Sequence, residues 1–128
     1  MSKANNKFNI DKVPRDLDEA VEMIIETLGH SDQKTICHDK YIAAKAHHGL
    51  GRFIRNSWSL WDRHTHLCNW FRANLEIGHA DDISTIIIEA VRAKLSGLEY
   101  DPTSTVQRFH DHWARFGCDN YGNPLRTE

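Results

Sequence analysis

The chain has few of the residues that stabilise exported or zinc-bound small domains, with 3 cysteines and 3 prolines among 128 residues. Three cysteines cannot all pair within one chain, and no two of them are spaced as Cys-x-x-Cys. A disulfide framework and a zinc ribbon or finger are therefore not expected. We expect reduced thiols and a cytoplasmic protein.

Long apolar runs are also absent. No segment of about 18 consecutive apolar residues occurs, and residues 1–10 contain no apolar run of the kind that a signal peptide needs. We therefore expect neither export by a signal peptide nor a membrane partner.

Signatures of catalysis and of metal binding are missing as well. The sequence contains no GxSxG, HExxH, Walker or GxGxxG motif. It has 9 histidines, but the pairs His64 with His66 and His110 with His112 would point to opposite sides of a helix. We assign no catalytic residue, cofactor or metal ligand, and the balance is towards a protein that is not an enzyme.

What the sequence does contain is helical periodicity. Apolar residues recur at every third or fourth position in several segments, and no hairpin signal or internal repeat is present. We predict an all-α fold, a single compact domain of five or six helices over residues 13–117, with flexible tails at 1–12 and 118–128. We predict helices over about 16–28, with Asp16 as N-cap and Glu19 as its capping-box partner, and over about 32–48. In 47–61 the apolar residues can share one helical face, but Gly49 and Gly51 mark either a break or a close helix contact. Further helices end near 77 with Asp62 or Thr65 as N-cap, run from 81 or 82 to 95, and run from 101 to 116.

The charge is unevenly distributed along the chain. The net charge is −2, yet residues 33–75 carry seven basic and two acidic residues, and both flanking regions are acidic. Histidine adds to this basic centre, because five of the nine histidines fall within it. A basic and aromatic centre between acidic flanks is the least generic feature of the chain.

The basic centre holds the candidate binding residues. Arg52 and Arg55 share a helical stripe with His48, beside several aromatic residues. Guanidinium groups next to aromatic rings suit phosphates, nucleobases or acidic protein surfaces. The same arginines could instead pair inside the fold with the acidic first helix or with Asp81 and Asp82. The residues that we assign to ligand or partner binding are His48, Arg52, Arg55, Asn56, Trp58 and Trp61.

A second cluster, His79 with Asp81 and Asp82, is the best candidate for acid and base chemistry in a small hydrolase. The alternative is structural, since Asp81 or Asp82 stands where a helix N-cap favours a carboxylate. The helix predicted to end at 95 would then have its N-cap at one of these two residues.

Three segments, HHGLGRFIRNSWSLW (47–61), LCNWFRANLEIGHADDIS (67–84) and RAKLSGLEYDP (92–102), resemble a family of small uncharacterised bacterial and phage helical domains. The similarity covers roughly residues 13–117. It implies a bacterial or phage origin and an intracellular setting, and it transfers no catalytic residue.

These observations favour a non-enzymatic binding protein that occupies a macromolecular partner, most simply another protein, as a host-takeover or anti-defence factor would. A nucleotide or nucleic-acid binding domain that uses the Arg52 and Arg55 face is the main alternative. A small hydrolase that uses His79, Asp81 and Asp82 is the minor one. A homodimer is also compatible with the broad aromatic stripe.

Overall fold

The structure, a computed structural model, describes residues 12–125. Most of the predicted N-terminal tail (1–12) and the end of the predicted C-terminal tail therefore lie outside the described residues. The helices are α1 (Leu17–Thr27), α2 (His30–His38), α3 (Ile42–Lys45), a π-helical segment (His47–Gly51), α4 (Arg52–Ser57), α5 (His66–Leu75), α6 (Ala80–Leu95) and α7 (Thr103–Arg115). The predicted all-α, single-domain fold is confirmed.

Helix α6 is the centre of the fold. It is the longest helix at 16 residues, and nine of them are buried. The run Ile86–Ile88, which would suit a strand when taken alone, lies inside this helix, and all three side chains are at most 1% exposed. A helix that is apolar on most of its circumference is one that other elements surround. Burying each isoleucine contributes about 1.5–3 kcal/mol.

Helix α1 packs on α6 with Ala20, Val21 and Ile24 buried. The predicted N-cap is confirmed, because the side chain of Asp16 accepts a hydrogen bond of 2.9 Å from the backbone N–H of Glu19. Glu19 in turn accepts from the N–H of Arg15 at 2.8 Å. This differs from a standard capping box, in which the acceptor would bind the N–H of the capping residue itself.

The single helix predicted over 32–48 is divided into shorter pieces. Helix α2 ends at His38, and the side chain of Asp39 accepts a hydrogen bond from the N–H of Tyr41 at 2.9 Å. A local side-chain turn of this kind competes with helix continuation. Lys45 holds the same carboxylate at 2.9 Å, which fixes α3 to the turn.

Helix α7 lies along α6 and is held by polar contacts to two acidic residues of that helix. The Oε1 atom of Glu89 accepts from the hydroxyls of Tyr100 at 2.6 Å and Thr105 at 2.8 Å. Seven residues earlier on α6, Oδ2 of Asp82 accepts from the indole N–H of Trp113 at 2.7 Å. Burial, together with Glu89, raises the pKa of the Tyr100 hydroxyl, so this group stays protonated and donates. The two contacts fix both the register and the direction of α7.

Residues 118–125 form a turn after α7. Asp119 accepts hydrogen bonds from the backbone N–H groups of Tyr121 and Asn123, each at 2.9 Å. A hydrogen bond from the Leu125 N–H to the Gly117 carbonyl, at 2.9 Å, closes the turn against the end of α7. The described part of the predicted C-terminal tail is thus a folded turn.

No helix within residues 12–125 combines the length and apolar composition that crossing a membrane requires.

Gly78→Ala tests how tightly the turn formed by residues 118–125 packs against the segment between α5 and α6. A Cβ atom at residue 78 would lie 2.7 Å from Cδ1 of Tyr121, so the ring must move. We expect a loss of about 1–2 kcal/mol in the free energy of unfolding, measured in urea, because overpacking forces neighbouring groups to shift. Gly49→Ala is the control, since nothing lies within 4 Å of its added Cβ. Equal stability of the two variants would contradict the packing.

Candidate functional site

The π-helical segment brings a buried arginine to the start of α6. The carbonyl of Ala46 accepts hydrogen bonds from the N–H groups of Gly49 at 3.1 Å and Gly51 at 2.8 Å. The π-helical segment continues directly into α4, where Arg55 is only 6% exposed. A π-helical turn inserts one residue into the helical register and often marks a functional or specialised segment.

Arg55 connects three other residues, His47, Asp81 and Ser84, and we call these four residues the Arg55 network. Its guanidinium donates to Oγ of Ser84 at 3.0 Å and to the carbonyl of His47 at 3.1 Å. Its Nε atom lies 3.4 Å from Oδ1 of Asp81. Of the two alternatives given for the arginines, an external ligand or an ion pair within the fold, Arg55 therefore follows the second.

The close approach of Arg55 depends on Gly51. A Cβ atom at residue 51 would lie 3.0 Å from Nη1 of Arg55 and 3.3 Å from the Ala46 carbonyl. A larger residue would therefore crowd the guanidinium. This gives a physical reason for glycine in a helical segment where it has no favourable propensity.

The N-cap of α6 is His79, and the prediction of Asp81 or Asp82 as the cap is wrong. Nδ1 of His79 accepts a hydrogen bond from the N–H of Asp81 at 3.1 Å. Nδ1 therefore acts as the acceptor in this contact. The two aspartates are in the first turn, but their carboxylates bind Arg55 and Trp113, which lie far away in the sequence.

Asp82 is a buried carboxylate, 7% exposed, whose hydrogen-bond partner is the Trp113 indole. Burial raises its pKa, and the hydrogen bond from Trp113 only partly opposes this effect. Asp81 by contrast keeps 42% of its side chain exposed beside Arg55. The neighbouring aspartates thus have different environments.

Five rings form a continuous series across this end of the molecule, which we call the aromatic row. The ring centroid of His79 lies 5.5 Å from that of Trp61 and 5.0 Å from that of Trp113. His112 continues the row at 4.9 Å from Trp113 and 5.0 Å from Phe116. These spacings are those of packed aromatic pairs. The row joins the turn before α5, the start of α6 and the end of α7.

The two ends of the aromatic row are exposed. Trp61 is 54% exposed and Phe116 is 68% exposed. Leu125, which is 58% exposed, belongs to the turn that returns to Gly117 beside Phe116. Exposed large apolar side chains at both ends of a packed series of rings are typical of an interaction surface.

The candidate binding residues are divided between the interior and the surface. His48, Arg52 and Asn56 are exposed on successive turns of one stripe. Arg55 and Trp58 are buried, so they do not belong to an exposed surface. The sixth candidate, Trp61, lies in the aromatic row. The basic stripe is thus reduced to three exposed residues with a single arginine.

The hydrolase candidate His79 with Asp81 and Asp82 has its polar groups occupied by structural contacts. Nδ1 of His79 caps the helix, Asp81 faces Arg55, and Asp82 binds Trp113. No three His, Cys, Asp or Glu side chains in residues 12–125 converge so as to hold a metal ion. These contacts favour a structural role for the three residues over a role in proton transfer.

Helix α7 and its C-cap residue contribute three rings to the aromatic row that were not predicted from the sequence. Trp113 and Phe116 received no functional role from the sequence, and His112 was considered only as half of the pair with His110. The spacing of these residues does place them on one face of α7, but helical spacing alone does not show that the end of this face is exposed. The signal that could have found the site is the aromatic content of the last turn of α7.

In the comparison with protein families, residues 13–95 match the Domain of unknown function (DUF6794). The chain belongs to this family. The matched region contains the Arg55 network and ends before α7, so Trp113 and Phe116 lie beyond it. Neither the comparison with curated proteins nor that with solved structures gives a match.

Arg55→Met tests the internal role of Arg55, since methionine keeps an apolar stem and removes the charge. We expect a loss of about 2–3 kcal/mol in the free energy of unfolding, because Ser84 and the His47 carbonyl lose their donor in a buried site. Arg52→Met, on the exposed neighbouring turn, should change stability by at most about 0.5 kcal/mol. Similar losses in both variants, measured by urea denaturation, would contradict the internal role.

Asp82→Asn is expected to change the pH dependence of stability. Because burial raises the pKa of Asp82, the folded chain binds this proton more tightly than the unfolded chain, and wild-type stability falls as pH rises from the ordinary value of 3.8 through the raised pKa. Asparagine does not titrate and can still accept from Trp113. The variant should therefore gain stability relative to wild type across this range in urea titrations at several pH values.

Asp39→Asn provides a control of opposite sign. The hydrogen bond from Lys45 lowers the pKa of Asp39, so its stabilisation is present at neutral pH and is lost as pH falls through the lowered pKa. This variant should be less stable than wild type at neutral pH and approach it in acid. Parallel pH profiles for the two variants would contradict the burial of Asp82.

Proposed function

We propose that this member of the DUF6794 family is a non-enzymatic binding protein that occupies a protein partner through the aromatic row. The observation that carries the proposal is the exposure of Trp61 and Phe116 at the two ends of a packed series of rings. Tryptophan and phenylalanine are enriched at protein interfaces, and tryptophan is a frequent energetic hot spot. Rings already held by their neighbours lose little conformational freedom on binding.

The charge of this surface favours a protein over a nucleic acid. Binding to phosphate backbones draws on several lysines or arginines. The aromatic row contains none, and the guanidinium of Arg55 is already bound to internal acceptors. The exposed stripe of His48, Arg52 and Asn56 supports a nucleotide or nucleic-acid ligand as the second candidate.

The contacts of His79 support a binding role for this region over hydrolysis. Its ring is fixed by the Asp81 N–H on one side and packs between Trp61 and Trp113. A general base would need a free nitrogen directed at a bound substrate. Here the imidazole positions the two tryptophans on which the proposed surface depends.

We further propose that the protein acts in the cytoplasm of a bacterium, or of a host cell when phage-encoded, as a host-takeover or anti-defence factor. The similarity of its three sequence segments to bacterial and phage domains supports this setting. The three cysteines, all free in the structure, are compatible with a reducing compartment. A small domain that inhibits by occupying a partner needs no catalytic residues.

The combined variant Trp61→Ala and Phe116→Ala tests the aromatic row. We expect the tagged wild-type protein to retain one protein from a bacterial lysate in stoichiometric amount, with and without nuclease treatment. The double variant should lose at least tenfold in affinity for the purified partner in calorimetry, because removing a hot-spot aromatic costs about 2 kcal/mol or more. Circular dichroism should show an unchanged fold.

Tyr41→Ala is the matched control, since Tyr41 is 63% exposed and lies outside the aromatic row. It should leave binding unchanged. Equal retention of the partner by the double variant would overturn the proposal, as would the absence of any stoichiometric protein. Retention that nuclease abolishes would favour the second candidate. If sedimentation shows a wild-type dimer and a monomeric double variant, the partner is a second copy of this chain.

A further inference from the structure

A cleft lies at the opposite end of α6 from the aromatic row. It has a volume of about 700 Å³ and is bounded by α1, α5, α6 and the connection from α6 to α7. Its apolar lining includes Leu17 and Val21 of α1 and Leu98 of the connection. A cleft of this volume is within the range of small-ligand sites.

Two aromatic side chains line the cleft. Trp70 comes from α5, and Tyr100 comes from the connection that follows α6. Tyr100 is held in place because its hydroxyl donates to Glu89 at 2.6 Å. Trp70 packs edge-on against the fully buried Phe71, with 5.1 Å between ring centroids. These contacts hold both rings in position before any ligand arrives.

The charged groups of the cleft are mainly carboxylates. Asp18, Glu22 and Glu99 line it, and Lys94 is the single cation among the lining residues. Within the part of the chain that the structure describes, neither Asp18 nor Glu99 forms an ion pair. The lining therefore has an excess of two negative charges.

Lys94 already places an ammonium group at this cleft. Its Nζ lies 3.8 Å from Oε2 of Glu22, and both side chains are more than half exposed. A long, exposed ion pair of this kind contributes little to stability. A ligand cation can therefore replace Lys94 beside Glu22 at small cost.

From this combination we propose that the cleft binds an organic cation, an ammonium or guanidinium group carried on an apolar body. The carboxylates attract the cation, and tryptophan and tyrosine, both present in the lining, are aromatic residues that bind cations. The apolar lining accommodates the body of the ligand. The source can be a free amine or the lysine or arginine side chain of a peptide, because both present the same chemistry. The cleft shares no residue with the aromatic row, so this proposal does not depend on the proposed function.

The test uses the full chain and two pairs of matched probes. The first pair is 2-phenylethylamine and its neutral counterpart 2-phenylethanol. The second is a capped pentapeptide with arginine between two leucines and the same peptide with citrulline in place of arginine. Binding is followed by the indole N–H resonance of Trp70, which Trp70→Phe identifies. We expect the cationic member of each pair to shift this resonance at lower concentration than the neutral member.

Charge variants test the recognition directly. Asp18→Asn combined with Glu99→Gln should raise the Kd of the cationic probes about tenfold, because two attractive charges of up to about 1 kcal/mol each are lost. Lys94→Gln should lower the Kd severalfold, since it removes the competing ammonium. Asp32→Asn combined with Glu26→Gln is the control, with one first-turn aspartate and one exposed glutamate outside the cleft. It should change the Kd less than twofold.

The proposal is overturned if no probe shifts the Trp70 resonance at millimolar concentration. It is also overturned if neutral probes bind as tightly as cations, or if the two double variants behave alike. Tighter binding of the peptide than of the amine would identify a partner's side chain as the source, and the reverse order would identify a free amine. Trp61→Ala with Phe116→Ala should leave these Kd values unchanged, so failure here is separate from failure at the aromatic row.

Discussion

The structure depends on how the start of α6 accommodates two adjacent carboxylates beside a buried helix. Asp82 is almost entirely buried, and Asp81 lies next to it at the end of the core. Burying an ionised group without a partner is costly, so the buried Asp82 needs a donor and the buried guanidinium of Arg55 needs an acceptor such as the half-exposed Asp81. Arg55 supplies one donor from the segment before α5, and Trp113 supplies the other from α7. These two contacts bring two distant segments, α4 and α7, to the start of α6.

The aromatic row follows from the same arrangement. Because Trp113 must donate to Asp82, its ring lies over His79, and His79 is fixed in turn by its hydrogen bond with the Asp81 N–H. The surface proposed for partner binding is therefore supported by polar contacts beneath it. At the other end of α6, Glu89 accepts hydrogen bonds from Tyr100 and Thr105, and Tyr100 lines the cleft proposed for an organic cation. Two acidic residues of one helix thus position α7 and, with it, both surfaces.

Much of the fold could be predicted from local patterns. The apolar spacing and the N-cap Asp16 place α1 within one residue of its observed ends. The stretch 32–48 was predicted less well, because the turn at Asp39 and the π-helical segment depend on side-chain hydrogen bonds that periodicity does not contain. At the candidate site, Trp61 was identified together with Arg55 and Trp58, but their common basic and aromatic composition could not show which of them would be buried.

The sequence by itself determined the helical class, the approximate helix positions and the membership of Trp61 and His79 in unusual segments, because these follow from neighbours within a few residues. Only the tertiary structure decided that Arg55 turns inward to Asp81 and that Asp82 leaves the N-cap to His79. Both aspartates bind a residue that is at least 26 positions away in the sequence. Contacts over such distances arise only when helices pack, and the desolvation of a carboxylate then selects the donor that lies nearest.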